Sequence, residues 1–173
     1  MSHAVQFYHE DGFLIDAVAA FIQAGYYEEH ATIIVVATEQ HRKELHTRFQ
    51  DAGQGEIEAT VMYIDAMELL SAFMVDGQPN QTRFVACLQP IFEQAATLRG
   101  PIRLYGEMVA VLWAQGNPRA AIRLEELWNK LATSFPFSLL CGYPMSGFPD
   151  KNHESFHQVC HPHTHVHLPE QAF

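Results

Sequence analysis

The chain has 173 residues, of which 48% are hydrophobic and 17% charged, and its formal net charge at pH 7 is −10. This composition excludes a disordered protein, and the length predicts a single domain that buries roughly two-thirds or more of its unfolded surface. The negative charge argues against direct nucleic-acid binding, because contact with a phosphate backbone requires a basic face.

The sequence carries no signal for membrane insertion or export. No apolar run approaches the roughly 18–20 residues that span a bilayer, and the first residues lack the basic and apolar regions of a signal peptide. The cysteines Cys87, Cys141 and Cys160 are odd in number and widely spaced, which is not the pattern of a disulfide framework. We therefore expect a cytoplasmic protein that does not contact a membrane.

The chain opens with a predicted strand, a short turn and a helix. His3–Tyr8 predicts the strand, residues 9–12 the turn and the apolar segment Phe13–Phe21 the helix. Many α/β proteins bind phosphate with this layout, but their turn is rich in glycine and usually contains a Lys. Here the turn holds one Gly and two carboxylates, Glu10 and Asp11, so we expect polyphosphate binding to be lost. If the turn binds no ligand, Asp11 caps the helix and Glu10 is solvated.

Strands and helices alternate along the rest of the chain. Ala31–Ala37 is an apolar run rich in β-branched residues, which predicts a strand covered on both faces. Further strands are predicted at Val61–Ile64, Ile102–Tyr105 and Phe137–Tyr143, and helices at Thr38–Ala52, Ala66–Val75, Thr82–Leu98, Arg119–Ala132 and His153–Cys160. This alternation predicts an α/β fold, a three-layer sandwich with a mostly parallel central sheet. We assign residues 1–150 to the domain core and residues 151–173 to a C-terminal helix and His-rich tail of the same domain.

The carboxyl ends of the predicted strands form the candidate ligand site, because open parallel sheets bind ligands there. The candidate ligand-binding residues at this edge are Tyr8, Glu10, Thr38, Asp65, Glu107, Cys141 and Tyr143. Glu107 follows a Gly at a strand-to-helix junction, where a carboxylate serves as a general base, as a cation ligand, or only as a stabilising charge in the first turn of a helix. For Asp65, capping of the following helix is a full explanation without a ligand. Tyr8 and Tyr143 either line a ligand crevice or pack in the core.

The C-terminal tail contains regularly spaced histidines: His153, His157 and His161 at helical spacing, then His163, His165 and His167 in alternation. Imidazole and thiolate together suit Zn²⁺ or another transition metal. A candidate metal site therefore consists of Cys160, His161, His163 and His165. Pro162 must end the helix near His161, and a solvated His tract without a native metal is the competing interpretation.

Four motifs follow one another in a fixed order: H-x-x-x-FY at residues 3–8, GEM at 106–108, LE-x-LWN at 124–129 and LLCGY at 139–143. Together they resemble the MEDS domain (methanogen/methylotroph, DcmR sensory domain), and the resemblance covers nearly the whole chain. It implies a RecA/KaiC-like fold without an intact phosphate-binding loop. It also implies a sensory or regulatory module of the kind joined to histidine kinase, anti-sigma or DNA-binding segments.

The motifs of common catalytic sites are missing from the sequence, including GxSxG, HExxH, Walker A and GxGxxG. We expect a sensory or regulatory domain that binds a small ligand and signals through a protein partner, such as a histidine kinase or a transcription regulator, without catalysis. Two alternatives stay open: residual nucleotide binding or hydrolysis with Glu107 as base or cation ligand, and metal binding by the C-terminal Cys and His residues. The apolar face of Val109–Trp113 forms either a homodimer interface or part of the core.

Overall fold

The computed structural model describes residues 2–98, 100–148 and 153–171. The strands of its central sheet are β1 (His3–Tyr8), β2 (Thr32–Ala37), β3 (Val61–Asp65), β6 (Ile102–Gly106), β7 (Phe137–Pro144) and β8 (His165–His167). All pairs in this sheet are parallel, and the strand order is β3-β2-β6-β7-β1-β8. A small antiparallel hairpin of β4 (Met74–Val75) and β5 (Gln78–Pro79) lies apart from it.

Helices cover both faces of the sheet. They are α1 (Asp11–Ala24), α2 (Glu39–Asp51), α3 (Gly55–Glu58), α4 (Ala66–Phe73), α5 (Gln81–Ala96), α6 (Met108–Ala114), α7 (Pro118–Leu131) and α8 (His153–Cys160). The buried residues of α1, α2 and α3 share one hydrophobic cluster, and those of α4 to α8 share another on the opposite face of the sheet. The predicted α/β fold with helices on both faces of a parallel sheet is therefore confirmed.

Capping side chains begin four of the described helices, α2, α4, α5 and α7. Asp65 is the N-cap of α4 as predicted, since its carboxylate accepts the backbone N–H of Glu68 at 2.9 Å. Thr38 caps α2 through its hydroxyl oxygen. The expectation that Asp11 caps α1 is wrong: Glu10 occupies the N-cap position without a side-chain hydrogen bond, and Asp11 lies within the first turn.

The strand predictions hold, and the sheet contains one strand more than expected. Every residue of β2 is buried, which agrees with a strand covered on both faces. The additional strand, β8, lies in the His-rich tail and pairs with β1, with Ala4 opposite His165 and Gln6 opposite His167. Its residues are exposed at the edge of the sheet, so they lack the apolar pattern that reveals a buried strand.

The larger hydrophobic cluster lies between the sheet and α4 to α8. Trp128 is 1% exposed and packs edge-on against Phe84, with ring centroids 5.1 Å apart. Val109 and Leu112 are also buried there, as one of our two interpretations of Val109–Trp113 expects, while a homodimer stays a prediction. Within the described residues, every helix is too short or too polar to cross a lipid bilayer.

We predict that Gly142→Ala destabilises the protein. A Cβ at Gly142 on β7 would lie 2.9 Å from the hydroxyl oxygen of Tyr105 and 3.2 Å from Cδ1 of Leu14. Tyr105 cannot easily move, because its hydroxyl donates to Glu107 at 2.8 Å. We expect the free energy of unfolding, measured by urea denaturation, to fall by about 1–3 kcal/mol.

Gly12→Ala is the matched control for this substitution. A Cβ at Gly12, in the first turn of α1, meets no atom within 4 Å. We expect this variant to be as stable as the wild type, or more stable by up to about 1 kcal/mol. Equal losses in the two variants would contradict the steric explanation for Gly142.

Candidate functional site

Glu107 is the most extensively bonded polar residue at the carboxyl edge of the sheet. It follows β6 directly and is 4% exposed. One carboxylate oxygen accepts the backbone N–H of Thr38. The other accepts the hydroxyl of Tyr105 at 2.8 Å and lies 2.8 Å from Nδ1 of His41. Glu107 therefore ties the start of α2 to the end of β6.

His41 is an ionised group between two carboxylates. Its Nε2 lies 3.4 Å from Oδ1 of Asp11, on the side away from Glu107. Burial opposes a positive charge on His41, but the hydrogen bond and charge of Glu107, supported by Asp11, raise the pKa of His41 from 6.5 to about 9. His41 is therefore positively charged at neutral pH.

Two tyrosines complete this group. Burial, with the charges of Glu107 and Asp11, raises the pKa of Tyr8 above its ordinary value. Burial and Glu107 also raise the pKa of Tyr105. Both phenols stay protonated and can donate hydrogen bonds. We refer to Tyr8, Asp11, Thr38, His41, Tyr105 and Glu107 as the carboxyl-edge cluster.

The turn after β1 holds a carboxylate of the same chain. The backbone N–H groups of His9 and Glu10 donate to the two oxygens of Glu170 at 2.5 and 3.1 Å. Desolvation opposes ionisation of Glu170, but these hydrogen bonds lower its pKa. The side chain of Glu10 itself is exposed. The turn therefore binds an anion through its backbone although it lacks the usual glycines.

The remaining residues of the predicted ligand site do not join the carboxyl-edge cluster. Asp65 is at the same edge, but its carboxylate caps α4. Cys141 and Tyr143 are fully buried on the opposite face of the sheet from Tyr8 and Tyr105. Of the predicted ligand-binding residues, the structure thus brings Tyr8, Thr38 and Glu107 together, with Glu10 on the adjacent turn.

A second polar cluster lies in the core. Glu125 on α7 is 0% exposed, and its Oε2 lies 3.1 Å from Nε2 of His3 and 2.5 Å from Nε2 of His163. Sγ of Cys141 is 3.6 Å from Nε2 of His3. One donor atom from each of these four residues lies within 4.8 Å of the other three. We refer to His3, Glu125, Cys141 and His163 as the buried cluster.

The protonation of the buried cluster follows from its charges. Burial opposes ionisation of Glu125, but His163 and His3 lower its pKa to about 2. Burial and the charge of Glu125 raise the pKa of the Cys141 thiol. Burial, with Glu125 and Cys141, likewise raises the pKa of Tyr143. Among the described residues, the buried hydroxyl of Tyr143 has no hydrogen-bond partner.

The predicted tail metal site shares one residue with the buried cluster. His163 turns inward and its side chain is 0% exposed. Cys160 is half-buried at the end of α8, whereas His161 and His165 are exposed. None of these three belongs to the group of donors that contains His163.

Sequence reasoning missed His3 and Glu125 as members of a site, although each left a signal. Glu125 falls in the apolar stripe of α7, on the side that also holds Ala121 and Trp128. His3 is buried on the same face of β1 as the core residue Val5. A titratable side chain at a position where periodicity demands an apolar one is the signal for a buried site.

We predict that His41 makes the stability of the protein depend on pH. The pKa of His41 is about 9 in the folded protein against 6.5 in a free chain, so its contribution is complete below about pH 6.5 and disappears as pH rises through 9. The free energy of unfolding should therefore fall by up to about 3 kcal/mol over this window. Urea denaturation from about pH 6 to about pH 10 measures it.

Two substitutions on α2 isolate this effect. His41→Gln should remove the fall in stability over this pH window. His46→Gln should retain it, because the side chain of His46 is 63% exposed and its ion-pair partner, Glu58, lies outside the carboxyl-edge cluster. If the free energy of unfolding of His41→Gln falls over this pH window as much as that of the wild type, groups other than His41 cause the pH dependence.

The sequence matches a family of sensory domains. The family is described as MEDS: MEthanogen/methylotroph, DcmR Sensory domain, and the match extends over residues 2–163. No curated protein matches the chain. The matched residues include every member of the carboxyl-edge cluster and of the buried cluster. The match also confirms the resemblance that the four motifs indicate. The chain belongs to the MEDS family of sensory domains.

Proposed function

We propose that this chain is a sensor that binds a small carboxylate-bearing ligand at the turn after β1 and signals through its C-terminal segment, residues 153–171. The observation that carries the proposal is the hydrogen bonding of Glu170 to the backbone N–H groups of His9 and Glu10. A carboxylate of the chain itself occupies the position at which such a turn binds an external anion. An external carboxylate would compete with Glu170 for the same two donors.

The charges around the turn favour a small ligand of low charge. Glu10 and Asp11 repel a polyphosphate, whereas a single carboxylate is already accommodated there in the form of Glu170. Tyr8 ends the strand that leads into the turn, and burial keeps its hydroxyl protonated. Tyr8 therefore offers a hydrogen-bond donor, but no positive charge, to a ligand at this edge.

The C-terminal segment is suited to transmit ligand binding. It contacts the core at separate points: β8 pairs with β1, Val159 is fully buried, and the ring of Phe156 lies 4.5 Å from that of Phe7. Displacement of Glu170 removes one attachment and so favours release of the segment. Release would expose the apolar surface beneath Phe156, and such a surface binds another protein. We propose a signalling protein, such as a histidine kinase or a transcription regulator, as the partner.

The bonding of Glu107 supports a binding role over catalysis. Both of its oxygens have hydrogen-bond partners within the protein, from Thr38, Tyr105 and His41. A general base needs an oxygen that can reach the proton of a substrate. Glu107 therefore serves to hold the carboxyl edge together, and the proposal does not require a chemical step.

The experiment is a calorimetric titration with acetate and glycolate, with inorganic phosphate as the comparison. Glu170→Gln removes the charged competitor, so we expect it to bind the two carboxylates roughly tenfold more tightly than the wild type. Hydrogen exchange of residues 153–171 should be faster in this variant than in the wild type, because their attachment to the turn is weaker.

Glu154→Gln is the matched control, since it removes a carboxylate from the same segment at an exposed position on α8. This variant should bind acetate and glycolate with the same affinity as the wild type. The absence of any binding heat with acetate and glycolate in Glu170→Gln, together with unchanged exchange of the segment, would overturn the proposal. Tighter binding of phosphate than of either carboxylate would instead favour a nucleotide- or phosphate-binding function.

A further inference from the structure

We propose that His3, Glu125, Cys141 and His163 form a binding site for a divalent transition-metal ion, with Zn²⁺ as the best fit. The site lies in the core, on the face of the sheet covered by α7 and α8, and shares no residue with the carboxyl-edge cluster. The inference therefore goes beyond the proposed carboxylate site and does not depend on it.

The hydrogen bonds of His3 leave the Nε2 atom free to bind a metal. Nδ1 of His3 lies 2.8 Å from Oδ1 of Asn129. The amide of Asn129 is oriented by its Nδ2, which donates to the carbonyl of Pro162 at 3.1 Å. An amide oxygen only accepts, so Nδ1 of His3 carries the proton. In the neutral ring, Nε2 then presents a lone pair to Glu125 and Cys141.

His163 has the same arrangement. Its Nδ1 lies 2.6 Å from the carbonyl oxygen of Val159, which also only accepts. In the neutral ring, its Nε2 also presents a lone pair toward Oε2 of Glu125, so this atom can bind a metal in place of a proton. A bond from Nδ1–H to a carbonyl oxygen is the usual way in which proteins orient a metal-binding histidine.

Without a metal, the close contacts within the buried cluster are ion pairs that require a proton on each imidazole Nε2. Nε2 of His163 lies 2.5 Å and Nε2 of His3 lies 3.1 Å from Oε2 of Glu125, whose Oε1 has no hydrogen-bond partner among the described residues. A metal ion can take the place of these protons and converts the same arrangement into a ligand set.

A count of charges also favours a metal ion. A Zn²⁺ ion with the Glu125 carboxylate, a Cys141 thiolate and two neutral imidazoles has no net charge. Burial strongly favours the neutral assembly, because uncompensated charge is expensive in a protein core.

The donor chemistry and the distances from His3 agree with a four-coordinate zinc site. Zinc bonds of about 2.0–2.3 Å at tetrahedral angles separate neighbouring donor atoms by roughly 3.3–3.6 Å. Nε2 of His3 lies 3.1 Å from the carboxylate oxygen of Glu125 and 3.6 Å from Sγ of Cys141. The 2.5 Å between Nε2 of His163 and Oε2 of Glu125 must lengthen to this range when the ion binds. A set of two imidazoles, a thiolate and a carboxylate suits Zn²⁺, whereas Mg²⁺ and Ca²⁺ prefer oxygen donors alone.

The experiment begins with untagged, full-length protein purified without a metal-affinity column. Elemental analysis should find about one zinc ion per chain. Competition with a chromophoric chelator then measures zinc affinity. We expect Cys141→Ser and His163→Ala to lower this affinity roughly 100-fold or more. Cys160→Ser and His165→Ala are the matched controls in the tail and should bind zinc like the wild type.

A measurement on the wild type covers the case in which the core variants do not fold. X-ray absorption of the zinc-loaded protein should show one sulfur ligand and two imidazoles, and Co²⁺ substitution should give the absorption of a tetrahedral thiolate complex. A fully folded wild type that neither contains nor takes up zinc would overturn the proposal.

Loss of zinc in Cys160→Ser and His165→Ala, but not in Cys141→Ser, would assign the metal to the exposed tail and would also overturn the proposal. Acetate titration of Glu170→Gln tests the carboxylate site independently of zinc binding. Failure of one proposal can therefore be distinguished from failure of the other.

Discussion

The burial of the Glu125 carboxylate is the constraint on which the arrangement of this domain depends. The side chain has no exposure and lies on the inner face of α7. A buried carboxylate requires compensation by positive charge or by hydrogen-bond donors, and removing its partners costs several kcal/mol. Those partners come from both ends of the chain, His3 at the start of β1 and His163 just before β8. The requirement thus brings the start of β1 and the residues before β8 together on one face of the sheet.

Glu107 provides an internal comparison, because it is a second buried carboxylate, on the opposite face. It accepts the backbone N–H of Thr38 and the phenol of Tyr105, and it lies 2.8 Å from Nδ1 of His41. Glu125 is approached as closely by Nε2 of His3 and Nε2 of His163, but these contacts are ion pairs that require protonated histidines. Glu107 in addition accepts from a backbone N–H and a phenol, whose protons do not depend on a histidine. The ligand role proposed for Glu125 follows from this difference, because a metal ion can replace the protons of its two histidines.

The sequence predicted the elements that depend on local patterns and missed those that depend on contacts between distant residues. The continuous apolar run of β2 and the capping carboxylate of Asp65 are local signals, and both predictions hold. The spacing of the tail histidines suggested donors that are neighbours in sequence. The structure instead assembles its donors from β1, α7, β7 and the tail, and sequence spacing carries no information about such an assembly. β8 was missed for a related reason, because an exposed edge strand of three residues has no buried face to set its pattern.

The two proposed sites are joined through the C-terminal segment. His163 and Glu170 lie on either side of β8, so one site holds the segment before this strand and the other holds it after the strand. A metal ion that fixes His163 stabilises the attached state, and this opposes the displacement of Glu170 by an external carboxylate. Linkage is reciprocal, so a ligand that releases the segment weakens metal binding by the same factor. If both proposals hold, metal occupancy would set the ligand concentration at which the sensor responds.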